Sequence, residues 1–200
     1  MSERILITGG VRSGKSNAAE QRLMRSKKVL YIATARCLDG EMAQRIARHR
    51  ETRPAHWITA EASRDLPAVL GQYPEGDVLL DCVSNMVTNL MLDAEPDYEQ
   101  VSGQRVGEIE REITAEFDAL LDALERQDRT AVLVTNEVGG GLVSNYRMGR
   151  IFTDIVGRLN QHLAARCDRV ILMACGLPLT LKSPAAPGTS AENEQKAAMS

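Results

Sequence analysis

The sequence predicts an α/β fold of three layers, a mostly parallel central sheet with helices on both faces, and two observations carry that expectation. Short apolar runs rich in Val, Ile and Leu recur at Ile5–Thr8, Val29–Thr34, Val78–Cys82, Ala131–Thr135 and Val170–Ala174, as expected of parallel strands buried on both faces. Between them lie segments of helical period, Asn17–Arg25, Glu41–Glu51, Arg64–Gln72, roughly Val101–Gln127 and Arg150–Arg166, and such alternation implies strands joined by crossover helices.

The longest helix is the best defined. Val106, Ile109, Ile113, Phe117, Leu120 and Leu124 recur at steps of three and four, opposite Arg105, Glu108, Glu112 and Glu116, so one face is expected to pack on the sheet or on a neighbouring subunit. The preceding LDAEPDYEQVSG, Leu92–Gly103, is acidic and contains proline, which suggests a connection at the sheet edge.

At 200 residues with 44% hydrophobic content, the chain suits one compact domain. Residues 1–182 are expected to form a single catalytic domain. From 183 to 200 the composition turns to SPAAPGTSAENEQKAAMS, which offers little to bury and reads as a flexible tail. A net charge of −3 and a pI near 5.7 give no footprint for nucleic acid. Cys37, Cys82, Cys167 and Cys175 form no C-x-x-C pair and read as reduced thiols. The amino terminus passes from MSER straight into a strand, and no run reaches membrane-spanning length, so a cytoplasmic protein without membrane insertion is expected.

After the first strand, GGVRSGKS fits G-x-x-x-x-G-K-[ST] without a mismatch. Gly9, Gly10, Val11, Arg12, Ser13 and Gly14 form the loop, Lys15 is placed to reach the outer phosphates, and the Ser16 hydroxyl is placed to bind Mg²⁺. The pattern has a mechanism, because glycines let backbone N–H groups curl around a phosphate while the next helix aims its positive end at the anion. A nucleoside triphosphate, ATP or GTP, is the expected ligand.

VLLDC places Asp81 at the end of the third apolar run, where phosphate-loop proteins set a second metal-shell carboxylate. The alternative is a helix cap near Ser84. In DGEMAQRIARHRETRP, Glu41, Arg45 and His49 share a helical face beside Arg48, Arg50 and Arg53. A neutral imidazole there could attack a phosphate with arginines neutralising the phosphoryl oxygens, or the segment is a solvated helix with a surface histidine. His56 and His162 lack metal-ligand spacing and read as packing or surface residues. Asn136 and Glu137 end a strand at an edge where ligand loops form. Arg147 and Arg150 suit either a phosphate contact or a helix start.

The ordered set GGVRSGKS, YIATA, DGEMAQRIARHRETRPAHW, LLDCVSNMVTNL, VTNEVGGGLV and GRLNQHLAARCDRVILMACGLPLTLK resembles the bifunctional adenosylcobinamide kinase / adenosylcobinamide-phosphate guanylyltransferase family (CobU/CobP), over nearly the whole chain to Lys182. The resemblance implies a P-loop NTPase of RecA-like fold, homotrimeric, acting in cobalamin biosynthesis. It implies phosphorylation of adenosylcobinamide, then GMP transfer from GTP through a GMP-histidine intermediate, giving adenosylcobinamide-GDP and pyrophosphate. It carries the nucleophile to His49, with Lys15 as the other catalytic group. It also sets the guanine nucleotide against Gly9–Ser16, Thr34, Ala35, Arg36, Arg50, Glu51, Thr52, Arg53, Glu61 and Asp81, beside the Mg²⁺ that the phosphate-loop pattern puts on Ser16 and Asp81. The chain departs from the family pattern in having Arg48 beside His49 where some members carry two histidines, and Ser144 where proline is usual. A monofunctional small-molecule kinase and a nucleotide-sensing module without catalysis are the alternative readings.

Overall fold

The computed structural model describes residues 2–36 and 53–184. The helix expected over Glu41–Glu51, with His49, Arg50, Glu51 and Thr52, lies outside the described residues, as do Cys37 and residues 185–200.

In chain order the described elements are β1 (Arg4–Gly9), α1 (Lys15–Leu23), β2 (Val29–Ala33), β3 (Ile58–Glu61), α2 (Leu66–Gln72), β4 (Asp77–Asp81), α3 (Val83–Ala94), α4 (Gly103–Arg126), β5 (Ala131–Val134), α5 (Arg147–Arg166), β6 (Arg169–Ala174) and β7 (Leu177–Lys182). The strands form one sheet of seven, ordered β3-β2-β4-β5-β1-β6-β7. Every pairing is parallel except β6 with β7.

Alternation along each strand builds a core on either side. Leu6, Leu30, Ile32, Leu80 and Leu133 pack toward α2, α3, α4 and α5. Ile5, Ile7, Tyr31, Leu79, Val132 and Val134 pack toward α1 and Trp57. Because both faces are covered, the central strands read as continuous apolar runs.

Helix α4 buries Ile109, Ile113, Phe117, Leu120, Leu121 and Leu124, and each large side chain removed from water contributes about 1.5–3 kcal/mol. The Ser102 side chain starts this helix by accepting from the Arg105 N–H at 3.1 Å, a cap worth about 1 kcal/mol.

Three elements were not expected. Helix α3 follows β4 directly, and its signal is present in the sequence: Val83, Met86, Val87, Leu90 and Met91 are buried at helical spacing. The segment Leu92–Gly103 is therefore partly the end of α3 and partly a bridge to α4, rather than a connection at the sheet edge. Tyr98 is buried there, its hydroxyl donating to the Met91 carbonyl at 2.9 Å. Strands β3 and β7 are the two outermost strands and largely exposed; Ile58 and Ala60, and Leu177, Leu179 and Leu181, fall at alternate positions, so neither strand forms the continuous apolar run of a buried one. Pro178 is tolerated in β7 because an edge strand has one unpaired side.

Candidate active site

Parallel pairing brings the ends of β1, β2, β3 and β4 to the carboxyl edge of the sheet, where open α/β sheets bind ligands. Gly9 ends β1 with φ 151°, and a Cβ there would stand 2.4 Å from the Met173 carbonyl oxygen and 2.8 Å from Ser13 Oγ. Only glycine fits so close a backbone approach. Arg12 adopts φ 57° and Gly14 φ 95°, turning the loop into α1, whose first residue is Lys15. Lys15 is buried, and its Nζ donates to the Gly10 carbonyl at 2.6 Å. Burial pushes the ammonium below its ordinary range, with the nearby Asp81 carboxylate opposing the shift. Ser16 is half-buried one residue further along α1, and Val11 and Arg12 are exposed.

Asp81 ends β4, beside Ala33 in register. Its Oδ2 accepts from the Tyr31 hydroxyl at 2.8 Å, and its Oδ1 has no hydrogen-bond partner among the described residues. Tyr31 is buried, and both burial and the adjacent carboxylate hold its phenol firmly protonated. The Arg53 guanidinium stacks 3.3 Å over the Tyr31 ring, so Arg53, Tyr31 and Asp81 form a column on the α1 side of the sheet.

The turn after β4 is locked from β2. Thr34 Oγ1 donates to the Cys82 carbonyl at 2.7 Å and accepts from the Cys82 N–H at 2.8 Å. Asn89 Nδ2 donates to the Thr34 carbonyl at 2.6 Å. The expected site residue Thr34 thus has its side chain committed to the backbone of this turn. Ala35 is half-buried beside it. Arg36 forks onto Asp93 with both contacts at 2.6 Å, an exposed pair worth about 0–1 kcal/mol. Glu61 ends β3 opposite Ala33 and is exposed.

A polar chain that sequence reasoning largely missed supports the floor. Asn136 Nδ2 donates to Ser84 Oγ at 2.6 Å, Asn160 Nδ2 to the Asn136 carbonyl at 3.0 Å, and Thr135 Oγ1 to Asn160 Oδ1 at 2.7 Å. The Glu137 N–H donates to the Gly9 carbonyl at 3.0 Å, tying this chain to the phosphate loop. Asn136 therefore acts here as a brace. Asn89, Asn160 and Tyr31 carry no motif, because only folding brings them to this edge.

Arg147 resolves to its helix-start alternative. Its guanidinium donates to the carbonyls of Tyr98 at 2.6 Å, Glu99 at 3.1 Å and Val101 at 2.7 Å, strapping the α3–α4 bridge to α5. Arg150 donates to the Ser144 and Asn145 carbonyls, both at 2.9 Å. His162 Nε2 pairs with Asp118 Oδ1 at 2.7 Å on the helical layer, and His56 is exposed.

No group of three His, Cys, Asp or Glu side chains arranged for a metal occurs among the described residues. That does not disqualify Ser16 and Asp81 as holders of Mg²⁺, which binds proteins through one or two hard oxygen ligands and takes the rest from phosphates and water. The uncommitted Oδ1 of Asp81 suits that role. Among the described residues no helix is long and apolar enough to cross a membrane.

Comparison with known proteins places this geometry in a lineage. The family described as cobinamide kinase / cobinamide phosphate guanyltransferase matches residues 5–181. The chain is 46% identical over 182 residues to the bifunctional adenosylcobalamin biosynthesis protein CobU of Salmonella typhimurium, covering 89% of this chain and 99% of that protein. It is 41% identical over 182 residues to the bifunctional adenosylcobalamin biosynthesis protein CobP of Pseudomonas aeruginosa, covering 90% of this chain and 97% of that protein. In fold it is similar to a prototypical ATPase from the type III secretion system of pathogenic bacteria, with a TM-score of 0.52 and 14% identity over 99% of this chain and 63% of that one.

Proposed function

Because the chain belongs to the cobinamide kinase / cobinamide phosphate guanyltransferase family, we propose that it phosphorylates adenosylcobinamide with ATP or GTP and then guanylylates the product by way of His49. In the second step the imidazole nitrogen attacks the α-phosphorus of GTP. A P–N bond forms, the bond to the β-phosphate oxygen breaks, and pyrophosphate leaves. A phosphate oxygen of adenosylcobinamide phosphate then attacks the same phosphorus, the P–N bond breaks, and adenosylcobinamide-GDP is released with His49 regenerated. Two displacements suit a histidine because the phosphoramidate is reactive toward a phosphate acceptor.

The observation that carries the reading is a phosphate loop with a buried Lys15 at the start of α1, together with Asp81 ending β4 at the same carboxyl edge of the sheet. A fixed ammonium and loop N–H groups stabilise charge on phosphoryl oxygens without reorganising during reaction. Mg²⁺ held by Ser16 and Asp81 would supply further charge neutralisation on the leaving phosphates. Gly9–Ser16, Thr34–Arg36, Arg50–Arg53, Glu61 and Asp81 are the proposed nucleotide contacts. With Thr34 committed to the Cys82 backbone, it acts by shaping the turn that presents Asp81.

We take residues 1–182 as the catalytic domain and a homotrimer as its assembly. Support for association comes from apolar side chains left in solvent, Leu177, Leu179 and Leu181 on β7 and Leu142, Val143 and Tyr146 before α5. Such clusters mark interaction surfaces. Light scattering behind size exclusion should return three times the chain mass.

The deciding experiment is incubation with GTP labelled at the α-phosphate, followed by denaturing electrophoresis and peptide mass spectrometry. An acid-labile GMP adduct on His49, lost in His49→Ala, is expected. Phosphorylation of cobinamide with no adduct would leave a monofunctional kinase.

A further inference from the structure

The phosphate loop is flanked on two sides, and the family reading uses only one. Sheet order sets β4, β2 and β3, carrying Asp81, Thr34–Arg36 and Glu61, to one side of β1, and the β6–β7 hairpin to the other. On that other side a groove of about 340 Å³ opens between α1 and the hairpin, within the ~300–1,000 Å³ range of small-molecule pockets. Its floor is apolar, with Met173 buried beneath and Ala18 beside it, and Gly176 forms part of the far wall. Its rim carries Asn17, Gln21 and Arg22 from α1, all exposed, their side chains without a hydrogen bond or ion pair among the described residues. The phosphate loop closes one end, where the Gly176 N–H donates to the Ser13 carbonyl at 3.0 Å.

We propose that this groove holds the base and ribose of the nucleoside triphosphate that donates the phosphoryl group, with its phosphates in Gly9–Ser16. Three features point to that ligand class. The groove begins at the anion cradle, so a molecule anchored by its phosphates reaches it without leaving the loop. From Gly14 to Arg22 it follows α1 for about 12 Å at the helical rise, room for a nucleoside. An apolar floor with uncommitted amide and guanidinium groups along one edge suits a flat heteroaromatic ring, which stacks by its faces and hydrogen-bonds by its rim. Polar groups on the opposite side are differently disposed, with Arg36 on Asp93 and Thr34 on Cys82. One loop thereby serves two nucleotide orientations. The base points along α1 for phosphoryl transfer and toward Glu61 and Asp81 for guanylyl transfer.

This inference rests on the kinase half of the proposed function, and the test separates the two. Calorimetric binding of ATP and of inorganic tripolyphosphate is measured on the full chain, on the Gln21→Ala/Arg22→Ala double variant and on Ala18→Leu, which narrows the groove. Cobinamide phosphorylation and the α-labelled GTP adduct are measured in parallel. ATP affinity should fall about tenfold in both variants through lost edge contacts or lost space. Tripolyphosphate affinity and adduct yield should stay within about twofold of the parent. Unchanged ATP affinity in both variants overturns the proposal, as does an equal loss for tripolyphosphate, which would locate the damage in the loop. A parallel loss of adduct overturns the division into two orientations. If the parent binds ATP but phosphorylates nothing, the kinase reading fails while the groove stands on its binding data.

Discussion

The Tyr31 hydroxyl donates to Asp81 Oδ2 at 2.8 Å across the β2–β4 pair, so one carboxylate oxygen is fixed by the protein while Oδ1 has no hydrogen-bond partner among the described residues. Tyr31→Phe keeps the ring under Arg53 and removes only this bond. We expect the variant to lose about 1.5–3 kcal/mol of stability, as for a hydrogen bond to a charged group, and to need more Mg²⁺ for half-maximal turnover. Titration of Mg²⁺ in the phosphorylation assay checks this. An unchanged Mg²⁺ curve with lowered stability would make Tyr31 a packing residue only.

Gly9→Ala should abolish nucleotide binding. The added carbon meets the Met173 carbonyl at 2.4 Å and Ser13 Oγ at 2.8 Å, so either the loop or the end of β6 must move. Overpacking of this kind costs about 1–3 kcal/mol. Thermal unfolding with and without tripolyphosphate should show both a lower Tm and no stabilisation by the ligand.

Arg129 is expected to matter as much for folding as any apolar core residue. Nearly buried, it donates to the carbonyls of Gly76 at 2.6 Å, Tyr73 at 2.8 Å and Glu75 at 3.1 Å. Burial lowers its pKa from the ordinary arginine value. Arg129→Met strands those carbonyls and should cost about 2–4 kcal/mol by denaturant unfolding, with the KM for nucleotide unaltered.

Acid should weaken the fold through Asp168. Burial alone would raise its pKa, but the Arg4 side chain and backbone N–H, at 2.8–3.2 Å, outweigh that and hold it below 3.8. A carboxyl depressed in the folded state contributes stability that is fully present above its unfolded pKa and is lost as pH falls through the folded one. Asp118, lowered by His162 and Arg166 against the effect of burial, has the same sign. The Tm gap between the parent and Asp168→Asn should therefore be steady from about pH 8 to 5 and close below about pH 4.

Local patterns determined what depends on a few consecutive residues. The phosphate loop was legible because strand, glycine turn and helix start are contiguous. The buried strands β1, β2, β4, β5 and β6 were legible because burial on both faces leaves continuous apolar runs, and α4 because its period extends over many turns. Edge strands β3 and β7 were not, since an edge strand needs no continuous apolar run and their alternation extends over only a few residues. Helix α3 had its period but stood directly against β4, so the joined apolar stretch masked the boundary. Tertiary structure alone decided that Tyr31 orients Asp81, that Asn136 braces Ser84, that Arg147 straps a loop, and that a groove opens beside α1. Each of these joins residues distant in sequence, and such contacts are set by strand order, which no local pattern encodes.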